Sequence, residues 1–218
     1  MELKVIKQSV MQASEDVARQ SRELLKGRGC LMVNLISSPG SGKSSLLEKI
    51  VPVLVGRGVK VSVIEGDCYT SRDGERIQKL GVPIIQITTE GDCHLEASSV
   101  NQVIVRDVPA DTGLLFVENV GNLVCPAVFD LGETLKVSLL SVPEGSDKPV
   151  KYPLLFRESG LVVLNKTDLV PYTNFNRKEF YGFMKDVNPA CRIIEVSCTK
   201  GEGIDETAEF FMERMKAV

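Results

Sequence analysis

Residues 37–45 read Ser37-Ser38-Pro39-Gly40-Ser41-Gly42-Lys43-Ser44-Ser45. This is the phosphate-cradling pattern G-x-x-x-x-G-K-[S/T], with Ser37 standing where its first glycine belongs. Gly40 and Gly42 free the backbone to turn N–H groups inward around phosphate oxygens, and a helix starting at Lys43 adds its positive N-terminal end. Lys43 would reach the β- and γ-phosphates, the Ser44 hydroxyl would ligate Mg²⁺, and Pro39, Ser41 and Ser45 would complete the cradle. The competing reading is a ligand-free glycine-rich turn. An apolar run before the loop and a helical pattern after it favour the phosphate.

Asn165-Lys166-Thr167-Asp168 follows another apolar run, where a base would lie. The Asp168 carboxylate can accept from both N1–H and the exocyclic amine of guanine, whereas adenine offers no donor at N1. Asn165 would brace the loop and the stem of Lys166 would cover the base. Downstream, Ser197-Cys198-Thr199-Lys200-Gly201 resembles the loop that meets guanine O6 in GTPases. Three motifs in this order describe a GTP site.

The elements that would sense the third phosphate are less regular. Leu114–Val117 runs into Glu118-Asn119-Val120-Gly121, where most GTPases have Asp-x-x-Gly. Glu118 can still orient a Mg²⁺-bound water, and the Gly121 N–H can meet the γ-phosphate. Asp67, closing the second apolar run, and Asp73 beyond it are candidates for the Mg²⁺ or attacking-water region; Asp73 could equally cap a helix. No glutamine follows Gly121 and Arg72 is the one candidate finger, so hydrolysis is expected to be slow.

Six cysteines (Cys30, Cys68, Cys93, Cys125, Cys191, Cys198) include no C-x-x-C pair, and His94 is the single histidine. Cys93, His94 and Cys125 suit Zn²⁺ or Ni²⁺. Adjacent Cys and His can serve one ion only at a tight turn or helix start, which Gly91-Asp92 permits. Three ligands leave the shell open to water or to a second subunit. Buried thiols and a packed histidine are the bland alternative, and Cys30, Cys191 and Cys198 are read that way; Cys68 stays undecided. Cys125 lies just beyond Gly121, so movement driven by the γ-phosphate would reach a metal ligand along one short segment.

The elements that must position these residues alternate regularly. Strand-like runs cover Cys30–Ile36, Val59–Ile64, Val82–Ile87, Leu114–Val117, Leu135–Val142, Leu161–Leu164 and Arg192–Val196. Helical patterns cover Lys43–Val55, Arg72–Leu80, Leu95–Asp107, Arg177–Val187 and Ile204–Met215. Such alternation predicts a doubly wound, mostly parallel α/β sheet with ligands at the strands' C-terminal ends. Residues 1–28 form an amphipathic helical extension, with a stripe at Leu3, Ile6, Val10, Ala13, Val17 and Leu24, and residues 29–218 form one phosphate-loop domain carrying the metal site. The stripe is too short for a convincing coiled coil and is expected to pack on the domain, with dimerisation as the lesser reading.

The chain has 218 residues, 43% of them hydrophobic, and 26 basic against 29 acidic side chains. That apolar content excludes disorder, and the near-balance of charge argues against a dedicated binder of nucleic acid or anionic membrane. No run approaches the roughly 20 apolar residues that span a bilayer, and no signal peptide is evident, so a cytoplasmic location is expected.

Taken together, Ser37–Ser44, Cys93–Ala97 and Glu118–Pro126 resemble the HypB family, nickel-inserting GTPases of [NiFe]-hydrogenase maturation. The Glu in Glu118-Asn119-Val120-Gly121, odd for a generic GTPase, is what that family shows. The resemblance implies the dimerising, SIMIBI branch of phosphate-loop GTPases, shared with the signal recognition particle GTPases. It implies a Cys93–His94–Cys125 metal site near or across a GTP-promoted homodimer interface. It further implies the nickel metallochaperone HypA and the hydrogenase large-subunit precursor as partners. The Cys-rich or His-rich tracts of some members are not seen, so storage is not expected. The nearest rival is a urease accessory GTPase of the UreG type, whose metal motif resembles Cys-Pro-His. A further rival is a metal-storage or scaffold protein with structural nucleotide.

Overall fold

The computed structural model describes residues 6–67, 77–89 and 91–218, with side chains of the first helix from Met11 onward. Seven strands pair in one sheet: β1 (Leu31–Ser37), β2 (Val61–Asp67), β3 (Ile84–Thr88), β4 (Leu114–Glu118), β5 (Leu135–Ser141), β6 (Leu161–Asn165) and β7 (Arg192–Glu195). Their order is β3-β2-β4-β1-β5-β6-β7, and every pairing is parallel. After β1 the chain winds to one side, and from β5 it winds to the other. The crevice beyond β1 is therefore the switch point where such sheets bind ligands. Because all strands point one way, the residues after β1, β2, β4, β6 and β7 share that edge.

Both faces are covered, as the Val/Ile/Leu-rich strands require. Along β1, Leu31, Val33 and Leu35 face α2 (Lys43–Gly56) and the C-terminal helix Ile204–Met215. Met32 and Ile36 face the opposite layer. In the first core Leu46, Leu47 and Ile50 meet Phe210 and Phe211, and the Phe116 ring of β4 lies edge-on to Phe211 with centroids 5.2 Å apart. In the second layer α1 (Ile6–Gly27) packs on α3 (Ala97–Arg106) through Leu25, Val100 and Ile104. The short α4 (Cys125–Val128), α5 (Lys148–Lys151) and α6 (Pro153–Glu158), with α7 (Arg177–Val187), complete it.

Several details depart from the sequence reading, among them the third strand, which begins at Ile84 rather than Val82, and the helix expected from Leu95, which begins at Ala97. Over the described side chains the buried seam of α1 runs along Ala18, Ser21 and Leu25, with Val17 and Leu24 at its margin and Ala13 exposed; the side chains of Leu3, Ile6 and Val10 lie outside the described residues. It is rotated because small residues let the helix sit close: a Cβ on Gly132 would lie 2.4 Å from the Ala18 carbonyl. The second strand begins at Val61 rather than Val59, because Val59 N–H still donates to Leu54 O at 3.0 Å, closing the end of α2 through Gly58. The fifth strand stops at Ser141, where a capping box starts a 3₁₀ turn over Val142–Glu144. The expected helix Arg72–Leu80 lies mostly outside the described residues, as do Cys68, Arg72 and Asp73. No described helix is long and apolar enough to cross a membrane.

Candidate functional site

The loop after β1 closes over the N-terminus of α2 with Gly40 at φ 75° and Gly42 at φ 103°, both left-handed. A Cβ at Gly42 would stand 2.5 Å from Asn165 Nδ2, so only glycine fits there. Lys43 and Ser44 are buried. The Lys43 ammonium donates to Ser37 Oγ at 3.1 Å, so the serine that replaces the first glycine supplies an acceptor for the lysine of the loop. Ser44 Oγ donates to Glu118 Oε1 at 2.9 Å. A cleft of about 520 Å³ opens here, lined by the loop, by Glu65, Gly66 and Asp67 of β2, by Glu118–Gly121 and by Lys166.

A second, adjoining cleft of about 230 Å³ lies between Gly42, Ser45, Lys49, Asn165, Lys166, Cys198 and Thr199. Asn165 Nδ2 donates to Ser41 O at 2.9 Å and its Oδ1 accepts from Lys166 N at 2.8 Å, tying the loop after β6 to the phosphate loop. Lys166 Nζ donates to Gly40 O at 2.6 Å. Among the described residues Lys166 is the one non-glycine at positive φ, 60°, at the point where its side chain reaches across to the loop after β1. Asp168 Oδ1 accepts from Ser197 Oγ at 2.6 Å, and Lys200 N–H donates to that hydroxyl at 3.2 Å. The segments Asn165–Asp168 and Ser197–Gly201, expected to meet a base, therefore stand side by side.

Glu118 ends β4 paired with Leu35 on one side and Glu65 on the other. Gly121 lies against the phosphate loop: a Cβ there would come within 3.0 Å of Pro39. Ser44, Asp67 and Glu118 thus present an all-oxygen set to the cleft, the donor chemistry that Mg²⁺ takes.

The metal candidates converge. Cys93 Sγ lies 3.0 Å from Cys125 Sγ and 3.8 Å from His94 Nδ1. All three ligand atoms fall within 4.8 Å of one another, the one such group among the described residues. The bend that aims adjacent Cys93 and His94 at one point follows Gly91, at φ 111°. Cys125 opens α4, and the His94 ring stacks on Phe129 at 4.1 Å and 13°. Cys93 is exposed, and its hydrogen bond with the Cys125 thiol pushes it above the ordinary 9.0. By contrast, burial pushes Cys30 and Cys191 up to about 11, as inert packing thiols behave.

Two supports were not assigned a role from the residues alone. Glu144 Oε1 accepts from Ser41 Oγ at 2.7 Å, from Ser141 N at 2.8 Å and from Ser141 Oγ at 2.8 Å. Its local signal is the Ser-x-x-Glu box; its tie to the phosphate loop is tertiary. Phe129, behind His94, had no local signal.

A family model for the CobW/HypB/UreG nucleotide-binding domain matches residues 31–195. The hydrogenase maturation factor HypB of Azotobacter vinelandii is 46% identical over 92% of this chain, which spans 66% of that protein's length. The hydrogenase/urease maturation factor HypB of Helicobacter pylori (strain 26695) is 35% identical over 97% of this chain and 88% of its own. Among solved structures, HypB from Helicobacter pylori in complex with nickel has a TM-score of 0.87 at 34% identity, over 94% of this chain and 96% of that one. The GDP complex of the signal recognition particle 54 kDa protein from Aeropyrum pernix shares the fold alone, with a TM-score of 0.56 at 16% identity over 86% of this chain and 49% of that one. The phosphate loop, the parallel sheet and these likenesses agree: the chain belongs to the HypB hydrogenase maturation factors of the CobW/HypB/UreG nucleotide-binding family.

Proposed function

We propose that this chain is a GTP-binding, slowly hydrolysing metallochaperone that couples nucleotide state and dimerisation to nickel delivery during [NiFe]-hydrogenase maturation. One observation carries the reading. The three soft and borderline ligands meet beside the segment that lines the phosphate cleft and ends at Cys125. Soft thiolates and an imidazole select Ni²⁺ or Zn²⁺, and three of them leave a position open for transfer or for a partner subunit. The nickel complex of the Helicobacter pylori relative favours nickel as cargo.

Asp168 and the Ser197–Lys200 loop would select guanine, Gly40–Ser45 with Lys43 would hold the phosphates, and Ser44 with Asp67 would hold Mg²⁺. Bound there, Mg²⁺ would offset phosphate charge. GTP would order the segments around Asp67 and Gly121 and favour the dimer; hydrolysis would release them. A coupling of about 1–3 kcal/mol changes metal affinity roughly 5–150-fold, enough for a handover. The partners that fit are a second copy of this chain, the nickel metallochaperone HypA and a hydrogenase large-subunit precursor; the name of the Helicobacter pylori relative adds urease as a recipient to test. A cytoplasmic location fits such partners.

The test is a nickel titration of protein loaded with GDP or with a non-hydrolysable GTP analogue, with particle mass followed in both. Unequal affinities and a GTP-dependent doubling of mass are expected; equal affinities refute the coupling. Phosphate release that needs Mg²⁺ and is lost in Ser44→Ala separates this reading from a storage protein.

A further inference from the structure

Successive residues at the end of a strand point to opposite faces. At the end of β4 this sends Glu118 to the phosphate cleft, against Ser44, and sends Asn119 the other way. Asn119 is buried, 1% exposed. Its Oδ1 accepts from Leu95 N at 3.2 Å and from Val120 N at 2.9 Å. Its Nδ2 donates to Asn34 Oδ1 at 3.2 Å, and Asn34 Nδ2 donates onward to Glu133 Oε1 at 3.3 Å. Both ends of the Asn119 amide are thus occupied, and its orientation is set by a chain of buried partners.

On the far side of Gly121, Asn122 Nδ2 donates to Cys93 O at 3.3 Å while its Oδ1 accepts from Val124 N at 2.9 Å. The tripeptide Cys93–Leu95 is therefore gripped at both ends by side-chain amides of segment 119–122, one on each side of Gly121. Leu95 is anchored in the core at 1% exposure, so the tripeptide has little freedom to follow one anchor without the other. Val120 and Gly121, which follow Asn119 in the chain, line the phosphate cleft.

We infer that Asn119 and Asn122 are positioning residues that make Cys93 and His94, and not Cys125 alone, answer to the phosphate-sensing segment. A change of backbone direction at Gly121 displaces the two anchors differently. That twists Cys93 against His94 and changes the spacing of Cys93 Sγ, His94 Nδ1 and Cys125 Sγ. Nucleotide state then reaches the metal centre by two arms, one covalent through residues 121–125 and one through these hydrogen bonds. The inference rests on the nucleotide–metal coupling proposed above and assigns residues to it.

The test is an Ni²⁺ titration of the full chain, wild type beside Asn119→Ala and Asn122→Ala, in saturating GDP and in a saturating non-hydrolysable GTP analogue. The thiolate-to-nickel absorption band reports that the site is intact. The readout is the ratio of the two affinities, which a merely structural role would leave unchanged because it would weaken both states alike. Wild type should show a ratio of at least about fivefold, and each variant should cut it at least about twofold, to what the covalent arm alone transmits, while keeping the band. Asn122 is half-buried beside exposed Cys93, so its variant decides the matter should Asn119→Ala fail to fold. Variants that keep the wild-type ratio overturn the asparagine relay and leave the covalent arm standing. A wild-type ratio of one overturns the coupling itself, and the relay with it.

Discussion

At the scale of single residues, two chemistries decide what this chain can hold. The thiol of Cys125 faces that of Cys93 at 3.0 Å, so either one alone leaves a soft ion with a single sulfur. Cys125→Ala should lower nickel affinity by more than the roughly 10-fold that follows loss of a mere supporting group, and should weaken the sulfur-to-nickel absorption. Equilibrium competition with a chelator measures both. At the base end, Asp168 is held by Ser197 Oγ at 2.6 Å, which leaves its other oxygen and remaining lone pairs to meet donors. Asp168→Asn puts a donor where guanine also donates. GTP affinity should fall at least about tenfold while that for xanthosine triphosphate rises, as seen in nucleotide competition. Unchanged preference would remove Asp168 from base recognition.

At the scale of elements, the phosphate loop is held from behind by the turn after β5. Glu144 Oε1 gathers Ser41 Oγ and both donors of Ser141, and the rest of its carboxylate lies 3.9 Å from Lys148. Glu144→Ala strands buried donors in the turn and in the loop. It should cost roughly 1–3 kcal/mol in urea unfolding and weaken GDP binding, with Glu144→Gln milder because one acceptor oxygen survives.

The first helix is tied down in another way. Arg22 Nη2 donates to both oxygens of Asp130 at 2.7 Å, next to Gly132, on which the helix lies. Burial pushes the Asp130 carboxyl up, but the Arg22 hydrogen bond and the Gly132 N–H outweigh it and hold it below its ordinary 3.8. An acid whose folded value is depressed contributes stability above the unfolded value and loses it as pH falls through the folded one. Wild type should therefore lose part of its stability below about pH 4. Arg22→Gln should be less stable at neutral pH and show a shallower acid decline, read from urea midpoints across pH 3–7.

At the scale of the whole molecule, the parallel sheet collects five strand ends along one edge, so a nucleotide there touches loops far apart in sequence. A ligand that binds only this folded arrangement adds stability by mass action, about 2.7 kcal/mol at a hundred times its Kd. GDP with Mg²⁺ should therefore raise the midpoint of thermal unfolding, and Ser44→Ala should lose the Mg²⁺-dependent part of that rise.

The same scale separates what was legible along the chain from what was not. Sheet class and most element positions follow from local periodicity: alternate residues of β1 face two cores, and the run 37–45 needs left-handed glycines wherever it occurs. Cys93, His94 and Cys125 could be nominated because ligand chemistry belongs to residue type. Their convergence could not be read, since a gap of 32 positions is closed only when β4 lies beside β2 and the loop after β3 bends back. Over its described side chains the seam of α1 lies one position from the apolar stripe, because helical spacing reports which residues are apolar and not how closely a glycine lets the helix approach. Asn119 and Asn122 stand in plain view in the motif. Their amides acquire direction only from Leu95 and Cys93, which the tertiary fold brings to them. Composition and spacing thus determined by themselves the glycine-rich loop after the first strand and the parallel sheet that carries it, because those depend on backbone conformation and neighbours a few residues apart. Tertiary structure alone decided which side chains face one another across the edge of that sheet, because hydrogen bonds and metal ligation act over about 2–3 Å, whatever the distance along the chain.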